Sequence, residues 1–509
     1  MNKRVRVRFA PSPTGPLHIG GVRTALYNYL FAKKNNGDFL LRIEDTDQGR
    51  FVPGAEEYII ESLRWSGIMP NEGVGIGGPH APYRQSERKA VYRQYAEKLV
   101  NEGKAYYAFD TPEELEKLRK ELEEAKASNT SYSHQVRGRM KNSLTLSEKE
   151  VKQKLESGAP FVIRIKMPED EIIKATDLVR SQIEVNTATL DDKVLFKSDG
   201  LPTYHLANVV DDHLMEITHV IRGEEWLPSL PLHVLLYRYL GWEETMPQFA
   251  HLPLLLKPDG KGKLSKRDGD KMGFPVFPLQ WKDPFSGEIS SGYRESGYFP
   301  EAFINMLAFL GWNPGTEQEI FALDDLAEHF SIQHVHKAGA RFDFEKAKWF
   351  NHQYLIGRND DELAYEFDKI LKQKGINTDF DYILKVVSIV KDRVNFVHEI
   401  WQQASFFFVA PESYDPEVIK KRWKDNVPSQ IGEVSALLKK IEQFTAENFK
   451  ETVHHYVEEK QANMGNIMNS LRLSIVGGSF GPDMGLIAEL LGKEEVLNRI
   501  EKALNKLGR

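Results

Sequence analysis

The amino-acid sequence predicts an α/β fold: a Rossmann-like domain with a parallel sheet, an α+β insert within that domain, and all-α domains toward the carboxyl terminus. Three observations predict it. The chain opens with strand, turn, helix and strand patterns, a largely polar stretch lies between residues 106 and 200, and helical spacing of apolar residues dominates from residue 300 onward. At about 100–200 residues per domain, 509 residues predict roughly two to five domains.

The first β-α-β unit can be followed residue by residue. Alternating arginines and apolar residues predict a strand over residues 4–9 with one apolar side, and this strand stops at the Pro/Gly turn 11–15. Helical spacing predicts a helix over 22–32, and residues 39–43 predict a second strand. Ligands bind at the carboxyl ends of parallel strands, which is where the turn and the acidic residues after the second strand lie.

The stretch 106–200 is predicted to interrupt the parallel sheet as an insert. Its helix begins at a capping box, Thr111-Pro112-Glu113-Glu114, and strand patterns follow at 161–166 and 193–197. Residues 273–292 are rich in Pro, Gly and aromatic residues and predict an ordered surface excursion, to which we assign no function.

The composition indicates a globular protein without a membrane partner. Hydrophobic residues make up 41% and charged residues 28% of the chain, and the mean hydropathy is -0.46. No window approaches the roughly 18 apolar residues of a membrane span, and the opening MNKRVRVRF lacks the apolar segment of a secretion signal. We therefore expect a cytoplasmic protein.

The chain contains no cysteine. Disulfides, thiolate zinc sites and cysteine nucleophiles are therefore excluded, and His, Asp and Glu remain as possible metal ligands. Two histidine pairs have metal-like proximity but lack a convincing third ligand, so we interpret them as surface or packing residues and expect no metal site: His334 with His336, and His454 with His455.

The charge distribution points to phosphate. A net charge of -7 argues, taken alone, against a nucleic-acid partner, yet residues 1–50 hold nine basic and four acidic residues, and residues 257–271 hold six and three. The turn 11–21, PSPTGPLHIGG, leads into a helix whose free N–H groups suit a phosphate. Residues 263–267, KLSKR, lie in a Gly-rich loop that could clamp a triphosphate. Alone, each is more often a turn or a solvated surface; together they indicate a nucleotide site.

Together these motifs resemble the paired HIGH and KMSKS motifs of class I aminoacyl-tRNA synthetases. The surrounding text, including RFAPSPTGPLHIGGVRTALYNYLF, GLPTYHLANVVDDHL and IRGEEWLPS, is similar to the bacterial glutamyl-tRNA synthetase family, most strongly over 1–110, 195–270 and 292–355. Gly21 replaces the second histidine of the class, as suits glutamyl enzymes. The resemblance implies a monomeric ligase that uses ATP with Mg²⁺, L-glutamate and tRNA(Glu), and that activates glutamate only when tRNA is bound.

The resemblance also implies an ATP site. His18, Lys263 and Lys266 would be catalytic, and the two lysines, Lys266 above all, would stabilise the α-phosphate as pyrophosphate leaves. The implied ATP-binding residues are Pro11, His18, Gly20, Gly21, Glu225, Trp226, Lys263, Leu264, Ser265, Lys266 and Arg267.

A glutamate pocket is implied beside it. A substrate with two carboxylates and one ammonium needs arginine forks and one carboxylate. The resemblance assigns the carboxylate contacts to Arg8 and Arg222, the α-ammonium contact to Glu44, and further hydrogen bonds to Ser12, Tyr204 and Asn208. Without the resemblance, Arg8 would be interpreted as an exposed strand arginine and Tyr204 as a half-buried aromatic residue.

Five segments are predicted as domains: 1–105 and 201–256, the two halves of the Rossmann-like catalytic domain; 106–200, an insert that binds the tRNA acceptor stem; 257–339, a stem-contact domain with the KLSKR loop; and 340–509, a helical anticodon-binding region of one or two subdomains. Many relatives carry a cysteine zinc site in the insert, so here we expect no zinc and expect packing around Tyr107 and Phe109 instead. Several aromatic residues could stack anticodon bases, although core packing is the interpretation we prefer for each: Trp349, Trp401, Trp423 and 406–408.

Three alternatives remain beside the leading hypothesis. A glutaminyl-tRNA synthetase needs a pocket for a neutral amide, which the two arginines disfavour. A truncated paralogue that glutamylates a tRNA base would lack the carboxyl-terminal region. A non-catalytic RNA-binding paralogue should have lost His18 or the lysines of KLSKR, and both remain. The sequence leaves open which residues read the anticodon and whether tRNA(Gln) is also charged.

Overall fold

The computed structural model describes residues 4–127, 130–424 and 426–508. These form two compact units, one of residues 4–296 and 300–344 and the other of 297–299 and 345–508. The first three residues of the predicted opening segment lie outside the described residues. Among the described helices, none combines the length and the apolar character that crossing a membrane requires.

The first unit opens with the predicted β-α-β arrangement, which is confirmed. Strands β1 (Arg6–Phe9), β2 (Asp38–Leu41) and β3 (Glu72–Gly73) form a parallel sheet, and the helices α1 (Ile19–Lys34) and α2 (Ala55–Trp65) connect them. The expected one-sided strand is wrong: all four residues of β1 are buried. Arg6 can be buried because its guanidinium pairs with Glu72 (2.9 Å) and Asp38 (3.0 Å).

An antiparallel sheet follows in the predicted insert. It contains β4 (Ala105–Ala108), β5 (Val162–Ile165) and β8 (Val194–Phe196). Helix α3 (Lys89–Asn101) precedes the insert, and the helices within it are α4 (Pro112–Glu124), α5 (His134–Arg137) and α6 (Glu148–Glu156). The capping box at Thr111 and Glu114 is confirmed, because each side chain bonds the other residue's backbone N–H.

Tyr106, rather than Tyr107, lies at the centre of the insert's core. The Tyr106 ring is fully buried with Leu118, Leu122 and Tyr132, and its hydroxyl donates to the Asp192 carboxylate (2.6 Å). Tyr107 is half-buried on the opposite face of β4, where its ring meets those of Phe109 and Phe161. The expected aromatic packing therefore exists, but the larger buried cluster is centred one residue earlier.

A second sheet, with the order β7-β6-β10-β9, lies beside β1. Its strands are β6 (Ile172–Asp177), β7 (Ser181–Asn186), β9 (His219–Gly223) and β10 (Gln248–Leu252), with helices α7 (Tyr204–Leu214) and α8 (Leu230–Tyr239) between β8 and β10. Thr218 donates its backbone N–H to the Arg6 carbonyl (2.9 Å), which places β9 next to β1. The β6–β7 hairpin belongs to the stretch predicted as insert, yet β6 pairs in parallel with β10. The domain boundaries themselves stay a prediction.

The remainder of the first unit surrounds the KLSKR loop. Its elements are β11 (Leu255–Leu256), α9 (Lys266–Met272), β12 (Trp281–Lys282), β13 (Ile289–Ser290), α10 (Pro300–Ala308), α11 (Leu323–His329) and β14 (Ala340–Arg341). Strands β11 and β14 pair in parallel, and β12 and β13 form an antiparallel hairpin inside the predicted excursion.

The second unit is helical where it is described, as predicted. Its helices are α12 (Phe344–Gly357), α13 (Asp360–Gln373), α14 (Phe380–Val390), α15 (Ile400–Phe408), α16 (Pro416–Arg422), α17 (Val427–Leu438), α18 (Ala446–Lys460), α19 (Met464–Val476), α20 (Met484–Leu491) and α21 (Lys493–Leu507). Phe406 and Phe407 are buried in its core, which confirms packing for these two; Trp401, Trp423 and Phe408 are half-buried against that core.

Burial predicts unequal effects for two neighbouring tyrosines of β4. We expect Tyr106→Ala to lower the local free energy of unfolding by about 3–5 kcal/mol, because it removes a fully buried ring. Tyr107→Ala is the matched control and should cost clearly less. Hydrogen exchange of the β4 and β5 amides in the full-length protein measures both; equal protection in the two variants would contradict this assignment of the core.

Candidate active site

Two adjoining cavities, of about 610 and 400 Å³, form one cleft in the first unit. The cleft lies where β1, β9 and β10 end, as expected for a parallel sheet. Residues that line both cavities join them: Pro11, Ser12, Thr14, Leu17, Gly20, Gly21, Thr24, Gly223 and Glu225. Two small molecules that react with each other could therefore bind side by side.

His18 sits where the turn 11–21 meets α1 in the larger cavity. Its Nδ1 accepts the Gly20 backbone N–H (3.1 Å) and caps the helix. Burial, with a smaller contribution from Lys263, lowers the pKa of His18 to about 4, so the imidazole is neutral and its proton lies on Nε2. Nε2 is buried and has no hydrogen-bond partner among the described residues. It is a donor available to a ligand in this cavity.

The first backbone N–H groups of α1 are not free, contrary to the expectation from the sequence, because Ile19 donates to the Val276 carbonyl (3.0 Å), Gly20 to His18 Nδ1 and Gly21 to the His18 carbonyl (2.8 Å). A side chain on Gly21 would place its Cβ 2.5 Å from Leu17 Cδ1, so a residue larger than glycine requires Leu17 to move. The dipole of the helix still favours an anion at this end, so a phosphate would be attracted by the field of α1 rather than by free N–H groups.

Two lysines of the KLSKR loop face the same cavity. Lys263 pairs with Glu225 (3.1 Å) and Lys266 pairs with Glu288 (3.0 Å), and all four side chains are at least one-third exposed. Partly exposed pairs are weak, so a polyphosphate can take the place of either carboxylate. Leu264 is buried in the wall of the cavity.

Some of the remaining predicted ATP-site residues line one of the two cavities, and others do not. Pro11, Gly20, Gly21 and Glu225 line the larger cavity, and Trp226 lines the smaller one. Ser265 and Arg267 are not part of either lining. Ser265 instead stands at the N-cap position of α9, where its hydroxyl (2.5 Å) and its backbone N–H (3.0 Å) both donate to the Asp268 carboxylate.

All six predicted glutamate-binding residues line the smaller cavity: Arg8, Ser12, Glu44, Tyr204, Asn208 and Arg222. Arg8 is buried and binds both carboxylate oxygens of Asp212 (3.0 and 3.2 Å), so the expectation without the resemblance, an exposed arginine, is wrong. Glu44 accepts hydrogen bonds from Arg42 (3.0 Å) and Asn208 (3.1 Å). Burial raises the pKa of Glu44, and the neighbouring arginines oppose this shift.

Arg222 has neutral partners, unlike Arg8. Its guanidinium donates to the Tyr204 hydroxyl (2.6 Å), His251 Nε2 (2.9 Å) and the Trp226 carbonyl (3.3 Å). The Tyr204 ring stacks beside Trp226 with 4.2 Å between centroids. Arg222 therefore brings a positive charge to the cavity, and no carboxylate of the described residues is in direct contact with it.

Sequence reasoning missed the residues that support this pocket. Asp212 follows Tyr204 and Asn208 at intervals of four residues, which places all three on one face of α7; that spacing was a usable signal. Arg42 and His251 gave no comparable signal, because Arg42 binds Asp212 and His251 binds Arg222, both distant in the sequence.

The predicted surface excursion also reaches the cleft. Phe277, Trp281, Asp283 and Ser290 line the larger cavity, and the Trp281 ring packs edge-on against Tyr58 of α2 (5.1 Å). Glu288, in the same excursion, is the partner of Lys266. The excursion thus forms one wall of the cavity.

The next feature is the arrangement of side chains that could bind a metal ion. The described residues contain no group of three or more His, Asp or Glu side chains arranged to hold a metal ion. His334, His336, His454 and His455 are exposed, which confirms their interpretation as surface residues.

Family models and relatives agree with this geometry. Residues 4–349 match the class I tRNA synthetase (E and Q) catalytic domain, and residues 360–504 match an anticodon binding domain. The chain is 59% identical to the glutamate–tRNA ligase of Christiangramia forsetii and 57% identical to that of Porphyromonas gingivalis, with full coverage of all chains. A crystal structure of the Elizabethkingia meningosepticum glutamate tRNA ligase in complex with its amino acid is similar, with a TM-score of 0.95 and 54% identity over 99% of this chain and 100% of that one. The Elizabethkingia anophelis enzyme gives 0.93 and 54% over the same shares.

Buried histidines make the stability of the first unit depend on pH. Burial lowers the pKa of five of them: His18, His205, His219, His233 and His251. Below about pH 6.5 the unfolded chain takes up protons that the folded chain does not, so stability is complete above this pH and is lost as the pH falls toward 4. We expect the melting temperature to fall as the pH is lowered from 7.5 to 5.5 at constant ionic strength. A melting temperature that stays the same or rises would contradict the burial of these histidines in their neutral form.

Proposed function

This chain belongs to the glutamate–tRNA ligases of class I, and we propose that it joins L-glutamate to the 3′ end of tRNA(Glu) in two steps within the described cleft. In the first step, the glutamate α-carboxylate attacks the α-phosphorus of ATP, giving glutamyl-adenylate and pyrophosphate. In the second, the terminal ribose hydroxyl of tRNA attacks the activated carbonyl and AMP leaves. The observation that carries the proposal is the adjoining pair of cavities, one with phosphate-binding features and one with two buried arginines.

The smaller cavity suits glutamate better than glutamine. Arg222 has neutral partners, and a ligand carboxylate would compensate its charge. A glutamine amide would turn an N–H₂ group or a weaker acceptor toward a guanidinium that is itself a donor. A site built for one polar group rejects the analogue that leaves its buried groups unpaired. Arg8 and Glu44 are the charged groups available to the α-carboxylate and the α-ammonium.

The larger cavity would hold ATP. His18 offers its Nε2–H, and the dipole of α1 adds a positive potential at the end of the helix that lines this cavity. Lys263 and Lys266 would exchange their carboxylate partners for phosphate oxygens and stabilise the charge that develops as pyrophosphate leaves. Ser265 and Arg267 are proposed to support this loop, Ser265 through its two hydrogen bonds to Asp268.

The carboxylates of the cavity fit an ATP-bound Mg²⁺ more readily than a resident metal. Glu225 is paired with Lys263, and Asp283 accepts the backbone N–H groups of Phe285 and Ser286. Mg²⁺ prefers phosphate and water oxygens with few protein ligands. When bound, it would neutralise phosphate charge.

The remaining proposals concern partners and location. The region that matches an anticodon binding domain would contact the anticodon of tRNA(Glu). We propose that the enzyme acts as a monomer in the cytoplasm and that zinc has no part in it. The chain has no cysteine for the zinc site that many relatives carry.

Charging assays with purified tRNAs test the function directly. The protein should attach glutamate to tRNA(Glu) in the presence of ATP and Mg²⁺, with a kcat/KM at least about a hundredfold above that for glutamine. Assays with tRNA(Gln) show whether the enzyme is discriminating. Faster charging with glutamine than with glutamate would refute the assignment, and rapid pyrophosphate exchange without tRNA would refute tRNA-dependent activation.

The role of the loop is tested by Lys266→Met. Removing a charge that stabilises the transition state should lower kcat about 10²- to 10³-fold and change the KM for glutamate little. Lys261→Met removes the same charge from an exposed position of the same loop, outside the cavity lining, and serves as the matched control. Equal rates in the two variants, measured by tRNA charging, would argue against direct contact between Lys266 and ATP.

A further inference from the structure

A buried chain of three side chains connects the β6–β7 hairpin to the smaller cavity. Arg222 donates its Nε–H to His251 Nε2 (2.9 Å), and His251 Nδ1 lies 2.6 Å from Asp177 Oδ2. Asp177 is 2% exposed, His251 0% and Arg222 5%. Asp177 is the last residue of β6. The arginine that faces the cavity is thus held from a hairpin that lies outside the cavity lining.

The donor and the acceptor of each hydrogen bond between Arg222, His251 and Asp177 can be assigned. Burial lowers the pKa of His251, so the ring is neutral and has one donor and one acceptor. Since Arg222 can only donate, His251 Nε2 must accept, and the proton must lie on Nδ1, facing Asp177. Burial acts against ionisation of Asp177, yet the hydrogen bonds from His251 and from the backbone of Arg180 and Val179 hold its pKa below the usual range.

The second oxygen of Asp177 is held by the backbone. Asp177 Oδ1 accepts N–H groups from Arg180 (2.8 Å), Val179 (2.9 Å) and His251 (3.3 Å). The carboxylate therefore cannot rotate without leaving these donors unpaired, and Oδ2 remains toward His251. The tautomer of His251 and the direction of Arg222 both follow from this arrangement.

The hairpin is anchored to the cleft at a second point. Arg180, in the turn after β6, forms an ion pair with Glu224 and donates to the His251 carbonyl (3.2 Å). Glu224 in turn accepts the Leu254 backbone N–H (2.9 Å). Glu224 adjoins Gly223 and Glu225, which line both cavities. The turn of the hairpin and the cleft are thus joined by polar contacts on both sides of His251.

We propose that Asp177 and His251 are positioning residues that orient Arg222 toward the side-chain carboxylate of glutamate, and that the β6–β7 hairpin is therefore part of amino-acid recognition. The proposal rests on the proposed function, in which Arg222 contacts glutamate. Asp177 places its negative charge one imidazole ring away from the guanidinium. It can orient Arg222 without occupying the face that the ligand needs.

Asp177→Asn tests the proposal because the structure dictates how the amide must lie. Three backbone N–H groups require an acceptor at the Oδ1 position, so the asparagine N–H₂ takes the place of Oδ2 and faces His251. His251 then accepts at Nδ1 and carries its proton on Nε2, where it meets the Arg222 N–H. We expect the KM for glutamate in tRNA charging to rise about 10- to 100-fold, while the KM for ATP stays within about twofold.

Two further variants separate positioning from folding. Glu184→Gln removes an exposed carboxylate of the same hairpin, paired with Lys174, and should leave both KM values unchanged. His251→Gln alone should keep the glutamate KM within about threefold of the wild-type value, because the glutamine carbonyl can accept from Arg222 while its N–H₂ group donates to Asp177. Melting temperatures are measured for every variant.

The outcomes distinguish this inference from the function on which it rests. If the wild-type protein does not charge tRNA with glutamate, the proposed function fails. If the wild-type protein charges and Asp177→Asn leaves the glutamate KM unchanged, or raises both KM values equally, the positioning role is overturned. It is also overturned if His251→Gln raises the glutamate KM as much as Asp177→Asn does, since glutamine keeps both hydrogen bonds that the positioning role requires.

Discussion

The glutamate end of the cleft depends on the buried charge of Arg42. Its fully buried guanidinium contacts Asp212 (2.7 Å) and Glu44 (3.0 Å), with Asp211 at 3.8 Å, and Asp211 also binds Arg88. Together with Arg8, this network contains three buried arginines and three buried carboxylates. Burying a lone charge costs several kcal/mol, so each member is retained only while its partners stay in place. Burial acts against the charge of Arg42, yet these carboxylates raise its pKa well above the usual value. The positions of Arg8 and Glu44 are consequently fixed before a ligand binds.

The sequence predicted features that depend on neighbouring residues and missed those that depend on distant ones. The β-α-β unit, the capping box at Thr111 and the order of helices followed from local spacing. The one-sided β1 was wrong because the burial of Arg6 depends on Glu72, which is 66 residues away. No periodicity predicts such a partner. The β6 strand did carry a signal that was overlooked: Ile173, Ala175 and Asp177 alternate on its buried face, and an aspartate at the third inward position is unusual unless it binds something.

The candidate site shows the same division. All six predicted residues of the glutamate pocket line one cavity, because the resemblance transferred them residue by residue. The residues that hold them in place were not predicted, although Asp212 shares a helical face with Asn208.

The net charge of -7 was also misleading about phosphate. Acidic residues such as Glu225 and Glu288 pair with the lysines of the cleft, so a total that counts both signs says little about the groups that a ligand meets. The excursion could not be placed because its position depends on Trp281 packing against α2.

The two arginines of the pocket differ in how their charge is compensated, and this difference has a physical consequence. Arg8 is neutralised by the carboxylate that binds it, so a ligand gains mainly hydrogen bonds there. Arg222 is surrounded by a hydroxyl, an imidazole and a carbonyl, which orient it but leave its charge. A buried guanidinium of this kind is costly in the empty site, and a ligand carboxylate removes that cost. A neutral amide does not. Selectivity for an acidic side chain thus arises from the unfavourable state of the free enzyme as much as from the contacts in the complex.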